Sequence, residues 1–182
     1  MILFIDACVR AESRTRRLAE KYLSKLDGEV ETVRLDEIVF PVANEDFLSR
    51  RDRLIAEGAT DDGMFALAAQ FARADEIVIA APLWDLSFPA SLKQYFEQIN
   101  VIGVTFYYTP EGVPSGLCLA KRLTYVTTCG GDYFPEEFGF GYVKALAENF
   151  YGIKEVNLIK AVGLDIYGAD VERIMASAEN DI

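Results

Sequence analysis

Three short stretches carry the residues best suited to hold a ligand. The first, Ala7-Cys8-Val9-Arg10-Ala11-Glu12-Ser13-Arg14-Thr15-Arg16-Arg17, packs four arginines and two hydroxyls into eleven residues and reads as a loop entering a helix. A helix start has unpaired N–H groups and a partial positive charge, so arginines there are electrostatically misplaced unless an anion offsets them. A phosphate would do so, with the hydroxyls of Ser13 and Thr15 and the guanidinium groups of Arg10 or Arg14 converging on its oxygens. Ser13 is also a plain N-cap candidate, and the two roles coexist at one helix start. Arg16 and Arg17 read instead as a solvated helix face, with Arg16 pairing to Glu12 or Glu20. The second stretch, Pro82-Leu83-Trp84-Asp85-Leu86, leaves a strand and holds the one tryptophan. The third, Thr128-Cys129-Gly130-Gly131, offers backbone that can approach a ligand closely. Charge and hydroxyls at one end and a flat aromatic at the other describe a ligand with a phosphate and a ring.

Other chemistries are poorly supplied. With no histidine in the chain, the usual zinc sites, the Ser-His-Asp triad and the Cys-His pair lack a member, so no metal site and no catalytic side chain are expected. Any reaction should come from a cofactor. Cys8, Cys118 and Cys129 form neither a CxxC pair nor a zinc pattern and suit reduced thiols in a cytoplasmic protein. There is no GxGxxG and no GxxxxGK[ST], which removes the usual dinucleotide fingerprint and the nucleoside-triphosphate loop. A net charge of −11 opposes nucleic acid and anionic membrane as partners. No apolar run reaches the roughly 18 to 20 residues that span a bilayer, and the first residues read as a strand rather than a signal peptide.

The elements that must position these stretches alternate along the chain. Strands are expected at 2–6, 30–35, 77–81, 123–128 and 156–162. The run at 77–81 is wholly apolar, as in a strand buried on both faces, whereas 30–35 alternates and belongs at a sheet edge. Helices are expected at 13–26, closed by Asp27-Gly28, twice within 44–73 on either side of a break at 58–63, from Phe88 to Ile99, over most of 136–151, and at 170–178 with Asp170 as N-cap. Residues 103–116 read as a hairpin or extended loop. The whole predicts one α/β domain, residues 1–182, with a five-stranded doubly wound parallel sheet in flavodoxin-like order 2-1-3-4-5 and helices on both faces. In that order the loops after strands one, three and four share one edge. They are the three stretches above, and the ligand they describe is flavin mononucleotide (FMN).

At this point the sequence resembles a known family. Ala81-Pro82-Leu83-Trp84-Asp85-Leu86, Ser91-Leu92-Lys93-Gln94-Tyr95-Phe96, Gly103-Val104-Thr105-Phe106-Tyr107-Tyr108-Thr109 and Thr128-Cys129-Gly130-Gly131 are similar, in order and spacing, to motifs of the flavodoxin-fold FMN-dependent NAD(P)H oxidoreductases of the quinone reductase and azoreductase group. The match is strong from about Ile77 to Gly131, while 40–73 and the last quarter carry no specific motif. The resemblance implies that Leu83, Trp84, Asp85 and Leu86 with Thr128, Cys129, Gly130 and Gly131 hold the isoalloxazine, and Ser13, Arg14 and Thr15 the phosphate; Pro82 and, from the composition of the first loop, Arg10 are further cofactor-binding candidates. It implies a homodimer and a ping-pong cycle in which NADH or NADPH passes a hydride to the flavin and a quinone, azo or nitro compound then accepts it. Two departures stand out: the family's serine-rich phosphate loop carries arginines here, and Asp85 stands where asparagine is common. Asp85 would disfavour an anionic reduced flavin if its carboxylate faced the ring and would change little if only its N–H did. Phe106, Tyr107, Tyr133 and Phe134 are candidates for the substrate pocket, equally readable as core or dimer packing.

Two other readings compete. A flavodoxin-type electron carrier shares the fold and the acidic surface, but has less need of the aromatic 103–116 segment. A receiver-type signalling domain is suggested by Asp6 and Lys160, yet strand three ends Ala80-Ala81-Pro82 without an acceptor aspartate.

Overall fold

In a computed structural model, which describes residues 1–180, the chain forms the expected sheet. β1 (Ile2–Asp6), β2 (Val30–Arg34), β3 (Glu76–Ala80), β6 (Arg122–Thr128) and β7 (Glu155–Ala161) are all parallel, in the order β2-β1-β3-β6-β7. This is the 2-1-3-4-5 order, with the alternating strand β2 at an edge as its pattern predicts. Register aligns Asp6 with Ala80 and Ala80 with Val126, so the loops after β1, β3 and β6 emerge side by side.

The helices are α1 (Arg14–Leu23), α2 (Glu45–Ala56), α3 (Ala66–Arg73), α4 (Ala90–Ile99), α5 (Phe140–Leu146) and α6 (Val171–Asn180). They cover both faces because the strands' alternate side chains are apolar on both. Leu3, Ile5, Ile77, Ile79, Leu123 and Tyr125 pack toward α3, α4 and α5. Ile2, Phe4, Val78, Ala80 and Val126 meet Leu18 and Ala19 of α1 and Met175 and Ala178 of α6.

Local chemistry fixes the ends. Ser13 caps α1 and Asn44 caps α2, each accepting a backbone N–H three residues on, from Arg16 at 3.2 Å and from Phe47 at 3.0 Å. Two expectations need correction. Asp27-Gly28 does not close α1, which ends at Leu23 with Ser24 as its C-cap. The segment 136–151 is not one helix but a 3-10 turn at 136–138, then α5, then a π turn at 147–151 ended by left-handed Gly152. The cause is crowding, since the hairpin β4 (Phe106–Tyr108) and β5 (Pro114–Gly116) lies against this turn. A methyl on Gly116 would stand 2.1 Å from the Tyr151 carbonyl carbon.

Candidate functional site

The loop after β1 is built around Arg16. Its Nε donates to Asp6 Oδ2 at 2.6 Å, and its terminal nitrogens donate to the carbonyls of Cys8 at 2.5 Å, Arg10 at 2.9 Å and Ala11 at 3.1 Å. Asp6 Oδ1 accepts the Cys8 N–H at 2.9 Å. Arg16 is therefore not a solvated residue paired with Glu12 or Glu20: a carboxylate only 2% exposed requires a cation, and Arg16 is the one that reaches it. The same pairing occupies Asp6 and closes the signalling-domain reading. Arg17 does lie at the surface, bridging Glu172 and Glu179.

With Arg16 committed to the loop, the anion-binding features left at the helix start are the first-turn N–H groups, which have no intrahelical acceptor, together with Ser13, Thr15, Arg10 and Arg14. No acidic residue occupies that turn. Thr15 is buried, and its hydroxyl lies 2.6 Å from that of Thr128, tying α1 to the end of β6.

The loop after β3 holds its backbone close to β6, with the Leu83 N–H donating to the Thr128 carbonyl at 3.0 Å. It then makes a tight two-residue turn. Trp84 and Ser87 exchange both backbone hydrogen bonds, at 3.0 and 2.8 Å, while Asp85 and Leu86 between them have φ of +49° and +68°. That is the primed hairpin geometry that aspartate enters readily and leucine does not. The turn is pinned to the 136–138 segment by Ser87 Oγ, which donates to the Phe138 carbonyl at 2.6 Å. Asp85 is exposed.

These loops enclose a cavity of about 320 Å³ whose lining includes Arg10, Ser13, Arg14, Thr15, Pro82, Leu83, Trp84, Thr128, Cys129 and Gly130. That volume lies within the roughly 300–1,000 Å³ of small-molecule sites. Asp85, Leu86 and Gly131 stand outside the lining, at its rim. Cys8 also borders the cavity, but burial pushes its thiol up to about 12, so it is no thiolate at neutral pH. Of the aromatics, Phe106 is turned into the core, 4.7 Å from the Phe150 ring, because its strand packs on the π turn. Tyr107 and Tyr133 are exposed, and Phe134 lies beneath Lys160, whose Nζ is 4.9 Å from its ring centroid.

A fourth loop, which the sequence did not point to, completes the wall. After β7, the N–H groups of Gly163, Leu164 and Asp165 donate to the carbonyls of Gly131, Cys129 and Gly130 at 2.7, 3.2 and 2.8 Å. This brings Leu164 and Asp165 into the lining. A methyl on Gly130 would stand 2.3 Å from Asp165 Oδ2. Across the cavity, Asp165 Oδ1 accepts a hydrogen bond from Arg14 at 2.7 Å. The signal available in the sequence was positional only: residues 163–165 follow a strand at the same sheet edge.

The donors and shape fit FMN. A capped helix start with two hydroxyls and arginines faces one end, and Pro82, Leu83 and Trp84 face the other. A family model described as flavodoxin-like fold matches residues 1–182. Over 183 residues the chain is 38% identical to an FMN-dependent NADH:quinone oxidoreductase of Lachnoclostridium phytofermentans and 37% identical to one of Clostridium perfringens; each match covers 94% of this chain and 90% of the relative. Among solved structures, an azoreductase from Bacillus anthracis superposes with a TM-score of 0.84 at 25% identity, over 99% of this chain and 95% of that one.

Proposed function

The chain belongs to the flavodoxin-like family that contains FMN-dependent NADH:quinone oxidoreductases and azoreductases, and from that membership we propose that it is an FMN-dependent oxidoreductase that reduces quinone or azo compounds in a ping-pong cycle. The observation that carries this reading is the divided cavity, polar at the start of α1 and apolar at Pro82-Leu83-Trp84.

Ser13, Arg14, Thr15, Arg10 and the first-turn N–H groups hold the phosphate. Thr15 and Thr128 join the two loops that grip the cofactor. Pro82, Leu83 and Trp84 border the ring, with Thr128, Cys129 and Gly130 beside them. Asp85, Leu86 and Gly131 act from the rim through the backbone. When bound, FMN supplies the redox chemistry, accepting a hydride from the nicotinamide and passing the reducing equivalents to an acceptor that takes the nicotinamide's place. No side chain has to act as acid, base or nucleophile, which accords with a chain without histidine.

NADH, named for the clostridial relatives, is the donor assigned here; use of NADPH, and of nitro acceptors, follows only from the wider resemblance. Tyr107, Tyr133 and Phe134, which stand outside the cavity lining, are the residues we assign to the acceptor. An electron-carrier role is not favoured, since the similar proteins are named as enzymes. We read residues 1–182 as one domain and as a cytoplasmic homodimer. The free thiols suit a reducing compartment, and the half-exposed Tyr107, Tyr108 and Val113 of the β4–β5 hairpin form an apolar surface that a second copy would cover. Among the described residues no helix is long and apolar enough to cross a membrane.

The test is the chromophore. Purified protein, incubated with FMN and desalted, is expected to retain about one FMN per chain, whereas a protein that stays colourless has no flavin site.

A further inference from the structure

The cofactor's two ends are accounted for by the loops after β1, β3 and β6, but its middle, a flexible chain of hydroxyls, has no assigned partner. Asp165 stands between the ends. One carboxylate oxygen is 2.7 Å from Arg14 at the phosphate end, and the other lies against Gly130 at the ring end, where even a methyl would be 2.3 Å away. Its backbone is fixed by its own N–H bond to the Gly130 carbonyl at 2.8 Å and by the two neighbouring bonds from Gly163 and Leu164. The carboxylate is thus held on a rigid three-bond latch, lines the cavity and stays open on its free side, its side chain 69% exposed.

We propose that Asp165 is a positioning residue that accepts hydrogen bonds from the hydroxyls of the ribityl chain, fixing the span between phosphate and ring. This rests on the FMN reading above. An ionised carboxylate is an acceptor only, with about four lone-pair sites; Arg14 uses one, which leaves capacity for a polyol. Arg14 also offsets the repulsion a carboxylate would otherwise exert on the phosphate beyond it. An apolar residue at 165 would leave the chain's hydroxyls facing Leu164 and a bare backbone.

The test uses the full-length protein freed of flavin and three ligands read by fluorescence quenching: FMN, riboflavin, which lacks the phosphate, and lumiflavin, which is the ring with a methyl in place of the chain. Asp165→Ala is expected to weaken riboflavin and FMN by roughly 10-fold or more, the loss of a hydrogen bond to a charged group, and to leave lumiflavin unchanged. Asp165→Asn, which keeps one acceptor oxygen, should recover part of the riboflavin affinity. Arg14→Ala should weaken FMN alone, by roughly 10- to 150-fold. If Asp165→Ala weakens only FMN, Asp165 acts solely through Arg14 and the proposal is wrong. Tighter FMN binding would overturn it as well, by showing the carboxylate to be a competitor for Arg14. Wild-type protein that binds none of the three would overturn the flavin reading itself.

Discussion

Arg16 donates three hydrogen bonds to the carbonyls of one short loop and a fourth to Asp6, which is sealed from solvent. Removing one member of such a pair leaves an uncompensated buried charge, at a cost of about 3–5 kcal/mol. Arg16→Ala should therefore lower the midpoint of thermal unfolding by roughly 10 °C in a chain of this length. A drop under about 2 °C would return Arg16 to the surface role its sequence context suggests. That context misled for a definite reason. Helix-face reasoning weighs neighbours three and four residues away, whereas Asp6 is ten residues back, on the strand. Ser13 was legible as a cap because capping is a local property of a helix start, and Arg14 and Thr15 line the cavity beside it. Asp165 was not, because its partner Arg14 lies 151 residues away and no local pattern announces that contact.

At the scale of elements, the turn after β3 carries a cost that its neighbours sustain. Leu86 sits at φ +68°, a conformation that penalises a residue with a Cβ by roughly 1–2 kcal/mol. The paired Trp84 and Ser87 and the bond from Ser87 to Phe138 hold it there. Leu86→Gly removes the strain but adds freedom to the unfolded chain, an opposing effect of about 0.4–1 kcal/mol. The net expectation is a gain of about 0.5–1 kcal/mol, seen as a rise of roughly 1–4 °C in Tm; a fall would mean that the half-exposed leucine packs usefully or that the turn relaxes. The strands and most helices were readable because each carries its own period, two or 3.6. The 84–87 turn was not, since no glycine marks it, and neither was the π turn at 147–151, which exists because a hairpin from elsewhere in the chain presses on it.

For the whole molecule, the sheet order places four loops on one edge, three of them recognisable in advance from the alternation of strands and helices and the fourth from structure alone. The net charge of −11 over the chain opposes binding to polyanions. The function therefore comes down to whether a flavin on this edge turns over between two small molecules. The direct measurement is an anaerobic titration of the FMN-loaded protein, following the flavin's visible absorbance. One equivalent of NADH should bleach it without a lasting semiquinone, and one equivalent of a simple quinone should then restore it. Flavin that stays oxidised with NADH, or that is reduced but cannot pass its electrons to quinone or azo acceptors, would contradict an oxidoreductase of this kind.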